Sequence, residues 1–238
     1  MLASNGRPRY TGRACITPVY IPTEPVTPAD LPIVLAAYLI GSISFAVIVS
    51  RWFGLPDPRT YGSKNPGATN VLRSGRKAAA ILTLAGDGLK GWLAVALAQW
   101  LAPGQGYSDA TIALVAVAVF LGHLYPVFFR FIGGKGVATA AGVLFALNPW
   151  LGLGLLVIWL VLAVGLKLSS LAALAATAAA LPLAWWLDMP GVYLVTIGVI
   201  GLLLVWRHRS NIRKLLSGTE SGFTGKPEAG KEDPGVRS

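Results

Sequence analysis

The residues able to do chemistry fall in three polar islands separated by long apolar stretches. The first, Arg59 to Lys77 (RTYGSKNPGATNVLRSGRK), combines Gly62, Gly67 and Gly75 with the hydroxyls of Ser63, Thr69 and Ser74, the amides of Asn65 and Asn70, and a set of cations that includes Arg73. Glycine lets a backbone curl so that successive N–H groups point at one anion. Arginine adds a donor fork matched to phosphate. The second island is Gly122-His123-Leu124-Tyr125-Pro126 followed by Gly133-Gly134-Lys135-Gly136. A glycine turn entering a helix presents free N–H groups to an anion, and Lys135 supplies a point charge. The third, Arg207 to Lys214 (RHRSNIRK), is followed by Gly218-Thr219-Glu220. The chemistry these suggest is phosphate binding at a membrane surface.

Plainer readings stand beside this one. A basic loop can simply set topology, a glycine turn can simply reverse the chain, and cations after the last span can be a stop-transfer signal. Topology alone explains the Arg and Lys of the first island, but not its Gly, Asn, Ser and Thr. His208 and Asn211 share a face if their helix continues. His208 is then either a general acid or base or an interfacial anchor. Asp87 and Lys90 lie three apart inside an apolar segment, as a functional pair or a self-neutralising packing pair. His123 reads as structural, because no second His or carboxylate accompanies it at metal-ligand spacing. No metal or cofactor is expected. The Gly-Lys turn is not a Walker motif, since no Ser or Thr follows Lys135, and no G-x-S-x-G elbow occurs.

The elements that must position these islands are membrane helices. Of 238 residues, 54% are hydrophobic and only 13% charged, and mean hydropathy is +0.62; a soluble domain carries about a quarter charged residues. The net charge of +10 gathers beside apolar segments without an aromatic-interleaved basic surface. Anionic headgroups and substrates are therefore the expected partners, and nucleic acid is not. The single Cys15 forms no internal disulfide. Residues 1–30, with Arg7, Arg9, Arg13 and several prolines, read as a flexible lead-in without the apolar core of a secretory signal. Residues 31–216 read as one membrane domain and 217–238 as a polar cytoplasmic tail.

Spans are expected at about 31–53, 78–102, 110–129, 151–166, 169–187 and 191–206. The apolar segment 137–147 is shorter than the ~20 residues of a full crossing. Lys and Arg follow spans one and three, Lys167 follows the span ending at 166, and Arg207–Lys214 follows the last. Strict alternation of these basic loops requires the short segment to cross. The fold expected is thus all-α and polytopic: seven transmembrane helices, the fourth short, amino terminus outside and carboxyl terminus cytoplasmic. The islands then meet at one cytoplasmic face.

Four segments together resemble the bacterial acyl-phosphate-dependent glycerol-3-phosphate acyltransferase family: GSKNPGATNVLRSGRKA with DGLKG, GHLYPVFFRFIGGKGVATA, LSSLAA around Ser170, and RHRSNIRKLLSGTE. The resemblance runs from Leu31 to Glu220 in the family's order and spacing. It implies a monomeric seven-helix enzyme of the bacterial inner membrane, with its active site facing the cytoplasm. The substrates implied are acyl phosphate and glycerol 3-phosphate, the products lysophosphatidic acid and inorganic phosphate. By motif position Ser63, Arg73, Lys135 and Asn211 resemble the residues that hold the two phosphate groups, and His208 matches a position important for activity. Asn65, Gly67, Thr69, Asn70, Gly133, Gly134, Gly136, Ser170 and Glu220 resemble the lining of the phosphate sites. Lys64, Pro66, Ile132 and Ala173 depart from the family's usual residues. The His-x4-Asp dyad of another glycerolipid acyltransferase class is absent, since Phe128 and Arg213 stand five residues after His123 and His208.

A phosphate-ester transporter using the same basic sites is the alternative. It lacks support from an internal repeat relating the halves or from a pair of broken helices in matching positions. A lipid-binding scaffold explains basic helix ends but not the Gly/Asn loop.

Overall fold

A computed structural model of the chain describes residues 26–222, and these form helices joined by short turns and by longer connections at 53–67 and 125–136, with no strand among the described residues. Most of the expected lead-in, with Cys15, and most of the expected tail lie outside the described residues. Pro28–Asp30 form a single 3-10 turn leading into α1 (Leu31–Gly41). The order continues with α2 (Phe45–Trp52), α3 (Ala68–Leu72), α4 (Lys77–Gln105), α5 (Asp109–Leu124), α6 (Val137–Leu147), α7 (Pro149–Leu166), α8 (Ser169–Trp186), α9 (Gly191–Arg207) and α10 (Arg209–Leu216).

Local sequence explains the ends. Ser108 accepts from the Thr111 N–H to open α5, and Asn148 Oδ1 caps the N–H groups of Trp150 and Leu151 with Pro149 at the first helical position. Gly106, at φ +71°, ends α4 in the left-handed region.

Four helices are long and apolar enough to cross a bilayer, or six if each of two bent pairs is one span. The first expected span is one such pair. It bends by 42° between α1 and α2, at Ser42-Ile43-Ser44. The break frees the Ile43 carbonyl, and Lys90 Nζ donates to it at 2.7 Å. A backbone group released inside a membrane needs such a partner. The second pair, α9 and α10, bends by 60° at His208. The shared face of His208 and Asn211 is conditional on a continuing helix, and the chain turns a corner there instead. The short segment 137–147 is the single helix α6, about 16 Å long at 1.5 Å per residue.

Two close crossings hold the bundle. Gly41 of α1 lies against the Val119 backbone of α5, and Gly122 of α5 against the backbone at Tyr38 and Gly41. Gly91 of α4 abuts Thr139 of α6, and Gly142 of α6 abuts the Gly88 carbonyl of α4. At each, a Cβ would run into backbone, so only glycine permits the approach. The buried core, with Phe120, Leu124, Val143 and Leu151 among its members, draws residues from α1 and from α4 through α9. This brings the polar ends of α4, α5, α6 and α9 into register.

Candidate active site

A polar pocket of about 120 Å³ collects all three islands. Ser63, Asn65, Gly67, Thr69, Asn70 and Arg73 come from the first. Lys135 and Gly136 come from the second, and His208, Asn211 and Glu220 from the third, with Ser170 from the start of α8.

The first island is a built loop. Asn70, 2% exposed, donates through Nδ2 to the carbonyls of Pro58 (2.7 Å) and Tyr61 (3.2 Å), and its Oδ1 accepts from the Ser63 N–H. Its amide is thus spent on the loop, which Gly62 (φ +56°) closes over it. Asp57 and Arg59 pair at 2.6 Å, and the hydrogen bond from Arg59 holds the Asp57 carboxyl below its ordinary pKa. Arg59 also donates to the Phe129 carbonyl, tying this loop to the turn before the second island. The result presents Ser63, Asn65 and Thr69 to the pocket; Arg73 reaches the same wall from the C-cap of α3.

The second island is held from two sides. Gly134 N–H donates to the His123 carbonyl, and Arg207 donates to the carbonyls of Gly133 (2.8 Å) and Gly134 (3.1 Å). Gly133 and Gly134 do not line the pocket. They pack against His123 and Leu124 where a Cβ would not fit, and so they set the course of the turn. Gly136, at φ +87°, opens α6. Lys135 Nζ donates to Asn211 Oδ1 at 2.5 Å. Burial lowers its pKa to about 8, against the pull of Glu220 and with the push of Arg73, Arg207 and Lys214. A lysine so poised gains from an anion beside it.

His208 is 2% exposed, and its Nδ1 lies 2.8 Å from the Leu204 carbonyl. A carbonyl only accepts, so Nδ1 carries the hydrogen and Nε2 keeps the lone pair. Glu220 Oε1 accepts from Ser170 (2.7 Å) and from Asn211 Nδ2 (2.6 Å), so the carboxylate orients two neutral groups. Arg73 Nη2 donates to Ser221, leaving its buried Nε without a partner among the described residues.

Five further groups with polar side-chain atoms border the pocket that sequence reasoning did not assign to it: Asp87, His123, Trp159, Ser169 and Ser221. Ser169 was legible as the neighbour of Ser170, and Asp87 as an intramembrane charge. Nothing in the local sequence singles out Trp159. The Asp87–Lys90 pair is formed, at 2.8 Å.

An apolar groove of about 560 Å³ runs between α4, α6, α7, α8 and α9. Leu84, Val137, Ala138 and Trp159 border both it and the polar pocket, so the two spaces join. A space cationic at one end and aliphatic along its length fits a phosphorylated amphiphile beside a small polar phosphate ester. Among the described residues no cluster of His, Cys, Asp and Glu is set to hold a metal.

Comparison with known proteins gives the family. The glycerol-3-phosphate acyltransferase family model matches residues 31–218. A glycerol-3-phosphate acyltransferase of Janthinobacterium sp. (strain Marseille) is 62% identical over 192 residues, covering 81% of this chain and 96% of the relative. That of Chromobacterium violaceum is 55% identical over 206 residues, covering 86% of this chain and 100% of the relative. Crystal structures of the integral membrane glycerol 3-phosphate acyltransferase PlsY are similar. Its glycerol 3-phosphate form has a TM-score of 0.76 at 39% identity, over 82% of this chain and 95% of that one. Its lysophosphatidic acid form has 0.75 at 38%, over 83% and 96%. On motif, fold and pocket together, the chain belongs to the glycerol-3-phosphate acyltransferase family.

Proposed function

We propose that this protein transfers a fatty acyl group from acyl phosphate to the 1-hydroxyl of glycerol 3-phosphate, releasing lysophosphatidic acid and inorganic phosphate. The observation that carries this reading is the junction of the cationic pocket with the apolar groove. The glycerol 3-phosphate and lysophosphatidic acid forms of the solved relative support the acceptor and the product.

The acyl chain lies in the groove and its phosphate in the pocket. The hydroxyl oxygen attacks the acyl carbon, the carbon–oxygen bond to phosphate breaks, and phosphate leaves with the electron pair. Because phosphate is already a good leaving group, no covalent enzyme nucleophile is needed. Arg73 and Lys135 position the two anions and stabilise the departing one, with Ser63, Asn65, Thr69 and Asn211 as neutral donors. The attacking hydroxyl gives its proton to His208 Nε2 or to a phosphate oxygen. His208→Gln separates the two, since a substrate base leaves most of the rate.

The chain crosses the bacterial inner membrane seven times in this reading, counting α6, with the amino terminus outside and the pocket at the cytoplasmic face. The basic turns after α2, α5, α7 and α9 support that orientation. The chain acts as a monomer surrounded by lipid. The test is purified protein in lipid nanodiscs with acyl phosphate and glycerol 3-phosphate. Lysophosphatidic acid is expected with one phosphate released per acyl transferred. Folded protein that makes none, or that moves a phosphate ester across sealed vesicles without acyl product, contradicts the reading.

A further inference from the structure

Arg207 is a cation that the reaction above leaves unused. By sequence it can serve as a stop-transfer signal at the end of the last span, a role that needs only a charge among the headgroups. The structure turns it inward instead. The side chain is half-buried, and its guanidinium lies 5.9 Å from the centre of the Tyr125 ring. It forks onto two neighbouring carbonyls, those of Gly133 at 2.8 Å and Gly134 at 3.1 Å. It does not border the polar pocket, so it is placed to act on the turn and not on a bound phosphate.

The turn needs that grip. Gly133, Gly134 and Gly136 carry no side chains that could pack, so the course of the segment is set through its backbone. Gly133 and Gly134 are buried, and among the described residues their carbonyls accept from no backbone N–H. Buried carbonyls without a donor are costly, and Arg207 supplies both bonds. The arginine is also the last residue of α9, one residue before the corner from which α10 carries Asn211. A single planar group thus ties the turn that bears Lys135 to the helix end that leads to Asn211, and Lys135 Nζ meets Asn211 Oδ1 at 2.5 Å. A lysine in its place keeps the charge but offers rotatable donors on a flexible stem instead of a rigid fork.

We propose that Arg207 is a positioning residue for the acyl transfer, setting where Lys135 and Asn211 stand relative to the substrate phosphates without touching them. This rests on the acyl-transfer reading and adds to it a requirement for a guanidinium at 207, where an orientation signal requires only a cation.

The test measures kcat and KM for both substrates with Arg207→Lys in lipid nanodiscs, beside the wild type. The variant keeps the charge that orients the last span. A displaced ammonium grips phosphate less well, so KM for acyl phosphate or glycerol 3-phosphate is expected to rise on the order of tenfold, the effect of weakening one charge-assisted hydrogen bond. Arg207→Gln, which keeps N–H donors on a neutral planar group, is expected to raise the same KM. A merely structural role instead lowers kcat through loss of folded enzyme and leaves both KM values unchanged. Wild-type KM values in folded Arg207→Lys overturn the proposal, whether kcat is kept, as for an orientation signal alone, or reduced. If Arg207→Lys does not fold, the same criterion applies to Arg207→Gln. Absence of lysophosphatidic acid from the wild type overturns the acyl-transfer reading itself, a result distinct from unchanged KM values.

Discussion

Lys135 is the residue whose environment makes the sharpest statement. Its ammonium is buried and, among the described residues, hydrogen-bonded only to the neutral Asn211 amide. Desolvation therefore wins over the attraction of Glu220, and the free protein's lysine titrates at about 8. The positive form is the one that binds phosphate, so the charge is present below that pH and lost above it. The KM for glycerol 3-phosphate or acyl phosphate is expected to rise as pH passes upward through about 8. Lys135→Arg, if active, moves that limb upward because a guanidinium does not deprotonate there; an unmoved limb assigns the titration to another group. Arg73→Ala should lower kcat/KM by on the order of a hundred- to a thousandfold, the usual cost of losing a donor to a developing anion. Wild-type rates would refute its role. The sequence exposed both residues, since charge among Gly and Asn is visible without coordinates. It did not expose that Asn70 is consumed by Pro58, Tyr61 and Ser63, nor that Gly133 and Gly134 stand behind the pocket. A motif reports which residues travel together, not which face the solvent.

At the scale of elements, the site depends on how closely α4 and α6 approach. Gly142 meets the Gly88 carbonyl and Gly91 meets Thr139, while Thr139 Oγ1 donates to the Asp87 carbonyl at 2.9 Å. Gly142→Val is expected to destabilise the fold by about 1–3 kcal/mol through overpacking and to separate Lys135 from Asp87 and Leu84. Thermal unfolding in detergent measures the first effect; an unchanged transition with full activity would show that the crossing tolerates a side chain. Element boundaries were largely legible, because apolar length and Asn-Pro, Pro-Gly and Gly punctuation act locally. The break at Ser42–Ser44 and the corner at His208 were not. Each is met by a distant partner: Lys90 for the freed Ile43 carbonyl, and Lys135 for the Asn211 amide beyond the corner.

For the whole molecule, the informative feature is convergence. Residues 63, 135, 170, 208 and 220 meet in one pocket, as expected from basic loops that share a side. In a Cys15→Ser background, single cysteines at Ser63, Lys135 and Arg213 should all label with an impermeant thiol reagent from the cytoplasmic side only. Labelling of one of them from the opposite side would refute the seven-crossing orientation. The groove was less legible than the pocket. An apolar channel between helices has no composition distinct from an apolar lipid-facing surface, and only packing separates Ala176 or Gly201 from Leu202. The central claim, that a headgroup pocket and a chain groove form one reaction space, is tested most directly by an acyl phosphate carrying a photoreactive group in mid-chain. Crosslinks are expected on groove residues such as Ala176, Ile200 and Gly201, and glycerol 3-phosphate should chase the label into lysophosphatidic acid before illumination. Crosslinks confined to the outward-facing Val161, Val164 and Leu202, unaltered by the acceptor, would contradict it.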